Sequence, residues 1–131
     1  MDFGLTEEQQ AIQDTARKFA REQIAPDFQK RETTGVIERG LVKEMGALGL
    51  VASDLPEAYG GLGIDGVTAG LIMEEVSYAD LNVSYIQLLN TLNGRIIVDH
   101  AKPEVAREWA PKIVAGDTSV SYTHLTLPTK A

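Results

Sequence analysis

Apolar residues recur along this chain at helical spacing, and five stretches carry the pattern. In the first, Ile12, Ala16, Phe19 and Ala20 follow at steps of four, three and one, which lays a single apolar stripe along a helix. Arg17, Lys18, Arg21 and Glu22 fall mostly off that stripe. Thr6 and Gln9 stand ahead of it at the spacing of a capping box, each side chain within reach of the other's backbone N–H. Glu7 and Glu8 sit where the positive end of the helix dipole favours acid. Ile24 extends the stripe, and Pro26 is expected to bend or interrupt it before a resumption through Phe28 to Arg31. Thr33-Thr34-Gly35 is a break.

A second helix is predicted over 38–48, with Leu41, Met45 and Leu48 on one side and an end near Gly49. Leu50-Val51-Ala52 is a short apolar run, and the Pro56 to Gly63 string that follows reads as loop. Asp65 can cap a third helix over 66–78, with Leu71, Ile72, Val76 and Ala79 buried and Glu74 and Glu75 facing out. Ala79-Asp80-Leu81-Asn82 interrupts the pattern. A fourth helix, over 83–100, is apolar on more than one face, which requires cover on each side. Pro103 opens a fifth helix, in which Val105, Trp109 and Ile113 are expected to pack and Pro111 to introduce a kink; Gly116 ends it. The alternating Thr/Leu residues from Val120 to Leu127 read as a strand that has no partner in this chain. The fold class is therefore all-α, an orthogonal or up-down bundle of about five helices with an irregular or strand-like tail.

Composition narrows the function. The 131 residues fit one domain, and 44% hydrophobic with 24% charged residues is ordinary for a globular protein. Nineteen acidic against twelve basic side chains give a net charge of −7, which argues against nucleic acid and against a basic membrane-surface helix. There is no cysteine, hence no thiolate ligand, disulfide or cysteine nucleophile. No apolar run is long enough to span a bilayer, and the first ten residues lack the basic start of a secretory signal. The expected location is a reducing compartment such as the cytoplasm.

The candidate motifs are mostly structural. Gly61, Gly63 and Gly66 match G-x-G-x-x-G, and Asp80 lies nineteen residues after Gly61, as a ribose-binding acid would. A dinucleotide site, however, needs an apolar strand leading into the first glycine, and here Pro56-Glu57-Ala58-Tyr59-Gly60 leads in. A turn before a helix is the plainer account. His100 and His124 form no His-x-x-x-His or Glu-x-x-His pair, so no zinc or di-iron ligand set is predicted. Glu74 and Glu75, adjacent on a helix, diverge by about 100° and do not form an acid–base pair. The fourth helix is the unusual element, because Ser84, Tyr85, Gln87, Asn90, Thr91 and Asn93 interrupt an apolar run. Two readings stay open: a core helix with satisfied polar groups, or a helix lining an apolar ligand pocket.

Several strings, in order, resemble the amino-terminal helical domain of acyl-CoA dehydrogenases. They are Leu5-Thr6-Glu7-Glu8-Gln9, Phe19 to Pro26, Met45 to Leu50, and above all Leu55-Pro56-Glu57-Ala58-Tyr59-Gly60-Gly61-Leu62-Gly63. Glu74-Glu75-Val76, Ala79-Asp80 and the helix from Pro103 continue the match, which covers about residues 3 to 117. The first fifty residues are nearest to alicyclic-acid members such as cyclohexanecarboxyl-CoA dehydrogenases. The resemblance implies a parent enzyme with FAD that introduces an α,β double bond into an acyl-CoA thioester. It further implies an electron-transfer flavoprotein as electron acceptor and a homotetramer. The catalytic glutamate of the family lies in a later domain, so this chain is expected to be inactive alone and to bind no FAD. By alignment with the family, Ser84, Tyr85, Leu88 and Leu92 correspond to positions that line the acyl cavity.

After Asp117 the likeness stops. The family continues with a Leu-Thr-Glu-Pro string and a Gly-Ser-Asp run that contacts flavin and substrate. Here Leu125-Thr126-Leu127-Pro128 has leucine where glutamate is expected, and no Gly-Ser-Asp follows, so Thr126 is not assigned as a flavin ligand. The string from Val120 to Lys130 resembles a translated sequencing-adaptor tail, and the expected division is a family domain over 1–117 and a non-family tail over 118–131. Two alternatives of other classes remain: a stand-alone helical interaction module that meets a partner protein through the fourth helix, and a dinucleotide-binding fragment.

Overall fold

The computed structural model describes residues 1–118. The helices are α1 (Glu7–Phe19), α2 (Phe28–Thr34), α3 (Arg39–Ala47), α4 (Gly66–Ala79), α5 (Leu81–His100) and α6 (Pro103–Val114). A π-turn over Ala20–Ile24 and a 3₁₀ turn over Ala25–Asp27 join α1 to α2, so these two are one helix interrupted at Pro26, and the count of five holds. The described residues contain no strand, and the strand expected at 120–127, with His124 and Thr126, lies outside them.

The caps of α1 and α4 are those the sequence predicts. Thr6 Oγ1 accepts from the Gln9 N–H at 3.1 Å while Gln9 Oε1 accepts from the Thr6 N–H at 3.0 Å. Asp65 accepts from both the N–H and the hydroxyl of Thr68, at 2.8 and 2.7 Å. These bonds hold the Asp65 carboxyl below the usual aspartate range, the Thr68 N–H first and its hydroxyl second. Gly35 ends α2 and Gly116 ends α6, each at positive φ.

In the bundle α1 packs on α4, α4 on α5 and α5 on α6. Ile24, Met45, Leu50, Leu55, Ile72 and Ile113 fill the centre. α3 closes against the end of α6 so tightly that a β-carbon on Gly46 would collide with the Ala115 carbonyl, and one on Gly116 with the Val42 carbonyl.

Three expectations change. Glu75 does not face out; it is largely buried against α1, where Arg17 Nη2 donates to Glu75 Oε1 at 2.8 Å and Gln13 adds a second donor. That hydrogen bond and charge raise the Arg17 pKa further. Leu71 is only half-buried. In α6 the buried stripe is Ala106, Ala110, Ile113 and Val114, with Val105 and Trp109 turned outward and Lys112 Nζ 4.7 Å from the indole centre. Helix α6 continues through Pro111.

The 50–63 segment, read as an apolar run and a loop, is part of the core. Leu50, Val51, Ala52 and Leu55 are buried. The segment closes on itself through backbone bonds from Leu55 N–H to Ala52 O at 3.2 Å, Leu62 N–H to Ser53 O at 2.9 Å and Gly63 N–H to Leu55 O at 3.0 Å.

Candidate functional site

Helix α5 is turned against its own composition. The side that packs into the bundle carries Val83, Ser84, Gln87, Asn90 and Gly94, all buried. The opposite side carries Leu81, Tyr85, Leu88, Leu92 and Ile96, all exposed. Tyr85, Leu88 and Leu92 are 52%, 43% and 53% exposed. The inner face is therefore mostly polar and the outer face apolar, the reverse of an ordinary surface helix.

On the inner face, Gln87 Oε1 and both amide atoms of Asn90 are buried with no hydrogen-bond partner among the described residues. At Gly94 the helix lies close against the loop: a β-carbon there would stand 2.7 Å from Leu55 Cδ1. At the flank, Thr91 Oγ1 donates to Asp54 at 3.1 Å.

The start of α5 is fixed by a buried charge cluster. Asp80 caps the helix by accepting from the Asn82 N–H at 2.9 Å. Its other oxygen accepts from Arg31 Nε at 2.7 Å, and both residues are almost wholly buried. Arg31 also donates to the Ile24 carbonyl, beside the Pro26 interruption, and its third nitrogen lies 3.6 Å from Glu38, the residue ahead of α3. One guanidinium thus ties α2, the π-turn, the start of α3 and the start of α5. A cavity of about 530 Å³ opens beside it, with Ile37, Tyr85, Ile86 and Leu89 as apolar lining and Glu32 and Asn82 at the polar rim.

Of the four residues aligned with an acyl cavity, Tyr85, Leu88 and Leu92 share the outward face. Ser84 does not; it is buried, and its hydroxyl donates to the Leu81 carbonyl at 2.7 Å. Leu81 and Ile96 belong to the same outward face and were missed, although each stands four residues from Tyr85 or Leu92 and the spacing alone could have found them. Nothing in the sequence signals Arg31, which is 49 positions from Asp80.

The glycine string lacks the geometry of a nucleotide loop at its first glycine and at its acid. A β-carbon on Gly61 would collide with the Leu55 carbonyl, so the backbone that would face a pyrophosphate is packed against the loop. Asp80 is spent on Arg31 and on the α5 cap, and is not free for a ribose. Among the described residues no group of three or more His, Asp or Glu side chains could hold a metal ion, and no helix is long and apolar enough to cross a membrane.

Residues 6–117 match the family model described as acyl-CoA dehydrogenase, N-terminal domain. The chain belongs to the acyl-CoA dehydrogenase family. A probable acyl-CoA dehydrogenase of Bacillus subtilis is 40% identical over 79 residues, which is 60% of this chain and 21% of that protein. A chain in the structure of the electron transferring flavoprotein of Acidaminococcus fermentans superposes with a TM-score of 0.84 at 32% identity, covering 91% of this chain and 32% of that one. A glutaryl-CoA dehydrogenase of Mycobacterium smegmatis in complex with FADH2 gives 0.83 at 25% identity, covering 88% and 30%. This acyl-CoA dehydrogenase domain spans between a fifth and a third of the length of the relatives it matches. Its all-α architecture is that of the matching part of those chains.

Proposed function

We propose that this chain forms the amino-terminal helical part, over 1–117, of a flavin-dependent dehydrogenase that introduces an α,β double bond into an acyl-CoA thioester. Residues 118–131 are not part of that domain. The observation that carries the reading is the outward face of α5, where Tyr85, Leu88 and Leu92 stand uncovered on a helix whose inner side is already packed. Large apolar side chains left in water cost free energy that burial against an acyl chain would recover. In the parent these three line one wall of the acyl pocket, and the Tyr85 ring and the Leu88 side chain set how bulky an acyl group fits. Ser84 shapes the same end from behind, through its bond to the Leu81 carbonyl.

The flavin is held elsewhere in the parent, because in the one string here that matches a dinucleotide fingerprint Gly61 is packed on the Leu55 carbonyl and Asp80 is taken by Arg31. The M. smegmatis relative carries FADH2, which supports FAD as the parent's cofactor. The likeness to a chain from the A. fermentans electron transferring flavoprotein structure supports such a flavoprotein as the electron acceptor. A tetrameric parent rests on the resemblance alone.

The test is a hybrid in which residues 1–117 replace the matching part of the B. subtilis relative. It should hold flavin, and acyl-CoA should bleach it. Leu88→Trp and Leu92→Trp should then shift preference toward shorter acyl chains. A folded, active hybrid whose chain-length preference ignores both substitutions overturns the pocket assignment. A folded hybrid that never reduces flavin favours the second reading, an interaction module, which the same uncovered face supports.

A further inference from the structure

The cavity beside Arg31 joins the outward face of α5 at Tyr85. That ring stands on the face and also lines the cavity, where Ile37, Ile86 and Leu89 continue the apolar wall. About 530 Å³ of space therefore lies round the ring from Leu88, near the start of the helix. An apolar group that follows the face toward the start of α5 passes Tyr85 and enters it.

Volume sets how large a group fits, and charge decides what kind. Arg31 is the one basic residue among the described lining residues, and its guanidinium is already spent. Its Nε donates to Asp80 at 2.7 Å, a second nitrogen donates to the Ile24 carbonyl, and the third lies 3.6 Å from Glu38. Glu32 stands at the rim, where it accepts from Asn82 Nδ2 at 2.9 Å. At the polar end of the cavity one guanidinium thus answers three carboxylates, those of Glu32, Glu38 and Asp80. Arg39 does not line this cavity; it lines a separate pocket of about 120 Å³ that shares Ile37 and Ile86. A hydrocarbon end gains free energy by leaving water here. A carboxylate would lose hydration, find no free cation in the lining and face Glu32.

We propose that this cavity takes the distal end of the acyl group, and that Glu32 restricts it to neutral, apolar ends and rejects acyl groups that finish in a second carboxylate. The proposal rests on the acyl-pocket reading of α5 and adds to it the class of substrate. Carboxylated acyl groups occur in the family, since one matching structure is a glutaryl-CoA dehydrogenase. Glu32 works by repelling the wrong ligand and touches no reacting atom.

The experiment is an NMR titration of the full 131-residue chain, with circular dichroism on every variant. The two probes have equal carbon count: the hexanoyl and adipoyl thioesters of N-acetylcysteamine, of which only the second ends in a carboxylate. The hexanoyl probe should shift the signals of Ile37, Tyr85, Ile86 and Leu89, and the adipoyl probe should bind at least about tenfold more weakly. Glu32→Gln should shrink that ratio by about threefold or more. Added salt should shrink it in the wild type, because Glu32 is exposed and its field is screened. A purely structural role for Glu32 would weaken both probes together and leave the ratio and its salt dependence unmoved. Leu89→Trp, which fills the cavity, should abolish the hexanoyl shifts. Equal binding of the two probes overturns the proposal. So does a ratio that ignores both Glu32→Gln and salt, or a hexanoyl probe that moves none of the four signals. The hybrid's response to Leu88→Trp and Leu92→Trp tests the α5 wall instead, so a failure of either reading is told from a failure of the other.

Discussion

The two faces of α5 have opposite fates. The inner one is buried although it carries Ser84, Gln87 and Asn90, and the outer one is exposed although it carries Leu81, Tyr85, Leu88, Leu92 and Ile96. Burial on the inner side follows from what surrounds it rather than from its hydrophobicity. Gly94 admits Leu55, and Arg31 clamps Asp80 at the helix start, so the helix is held from its end and its middle. The outer face stays apolar without cover from the bundle, and that exposure is the ground of the proposed pocket.

The largest test of this contrast is at the clamp. Arg31→Ala leaves Asp80 buried without its cation and should cost about 3–5 kcal/mol in urea unfolding. A loss under 1 kcal/mol would show that the clamp does not hold α5.

Next come matched truncations on the two sides. Leu55→Ala, beneath Gly94, should cost about 2–5 kcal/mol. Leu92→Ala, measured at concentrations where the chain is monomeric, should stay within about 0.5 kcal/mol. Equal losses would erase the distinction between the faces.

A third change sharpens the inner face itself. Asn90→Leu replaces a buried amide without a partner among the described residues by a side chain of similar size, and should be neutral or raise stability by about 1 kcal/mol. A clear loss in chemical denaturation would mean that the amide is bonded in solution.

The smallest effect lies away from α5 and serves as its control. The Asp65 carboxyl titrates lower in the folded chain than its ordinary value of 3.8, so its capping of α4 is complete above that value. It is lost as pH falls through the depressed folded value, because the unfolded chain takes up the proton first. Thermal melts below pH 4 should therefore fall less steeply for Asp65→Asn than for the wild type, while substitutions on either face of α5 leave that slope unchanged.

Much of the fold is legible in the residues. Thr6, Gln9 and Asp65 cap by chemistry local to a few positions, and Pro26, Gly35 and Gly116 stop or bend the chain wherever they occur. The site was legible only in part. Tyr85, Leu88 and Leu92 came from a family likeness, and periodicity could not orient them, since α5 has apolar residues all round. Ser84 was grouped with them, but the helix start turns it inward. The Pro56 to Gly63 string could be told from a nucleotide loop by what precedes it, yet only the packing of Gly61 on Leu55 says what it does.

The sequence by itself determined where helices start and stop, that the chain is all-α, and which family it resembles. Those properties rest on interactions within a few residues, or on an ordered set of motifs. Only the tertiary structure decided which side of α5 faces out, that Glu75 binds Arg17, and that Asp80 belongs to Arg31 rather than to a ribose. Each of those depends on groups about forty or more positions apart, and what they do is set by the bundle that brings them together.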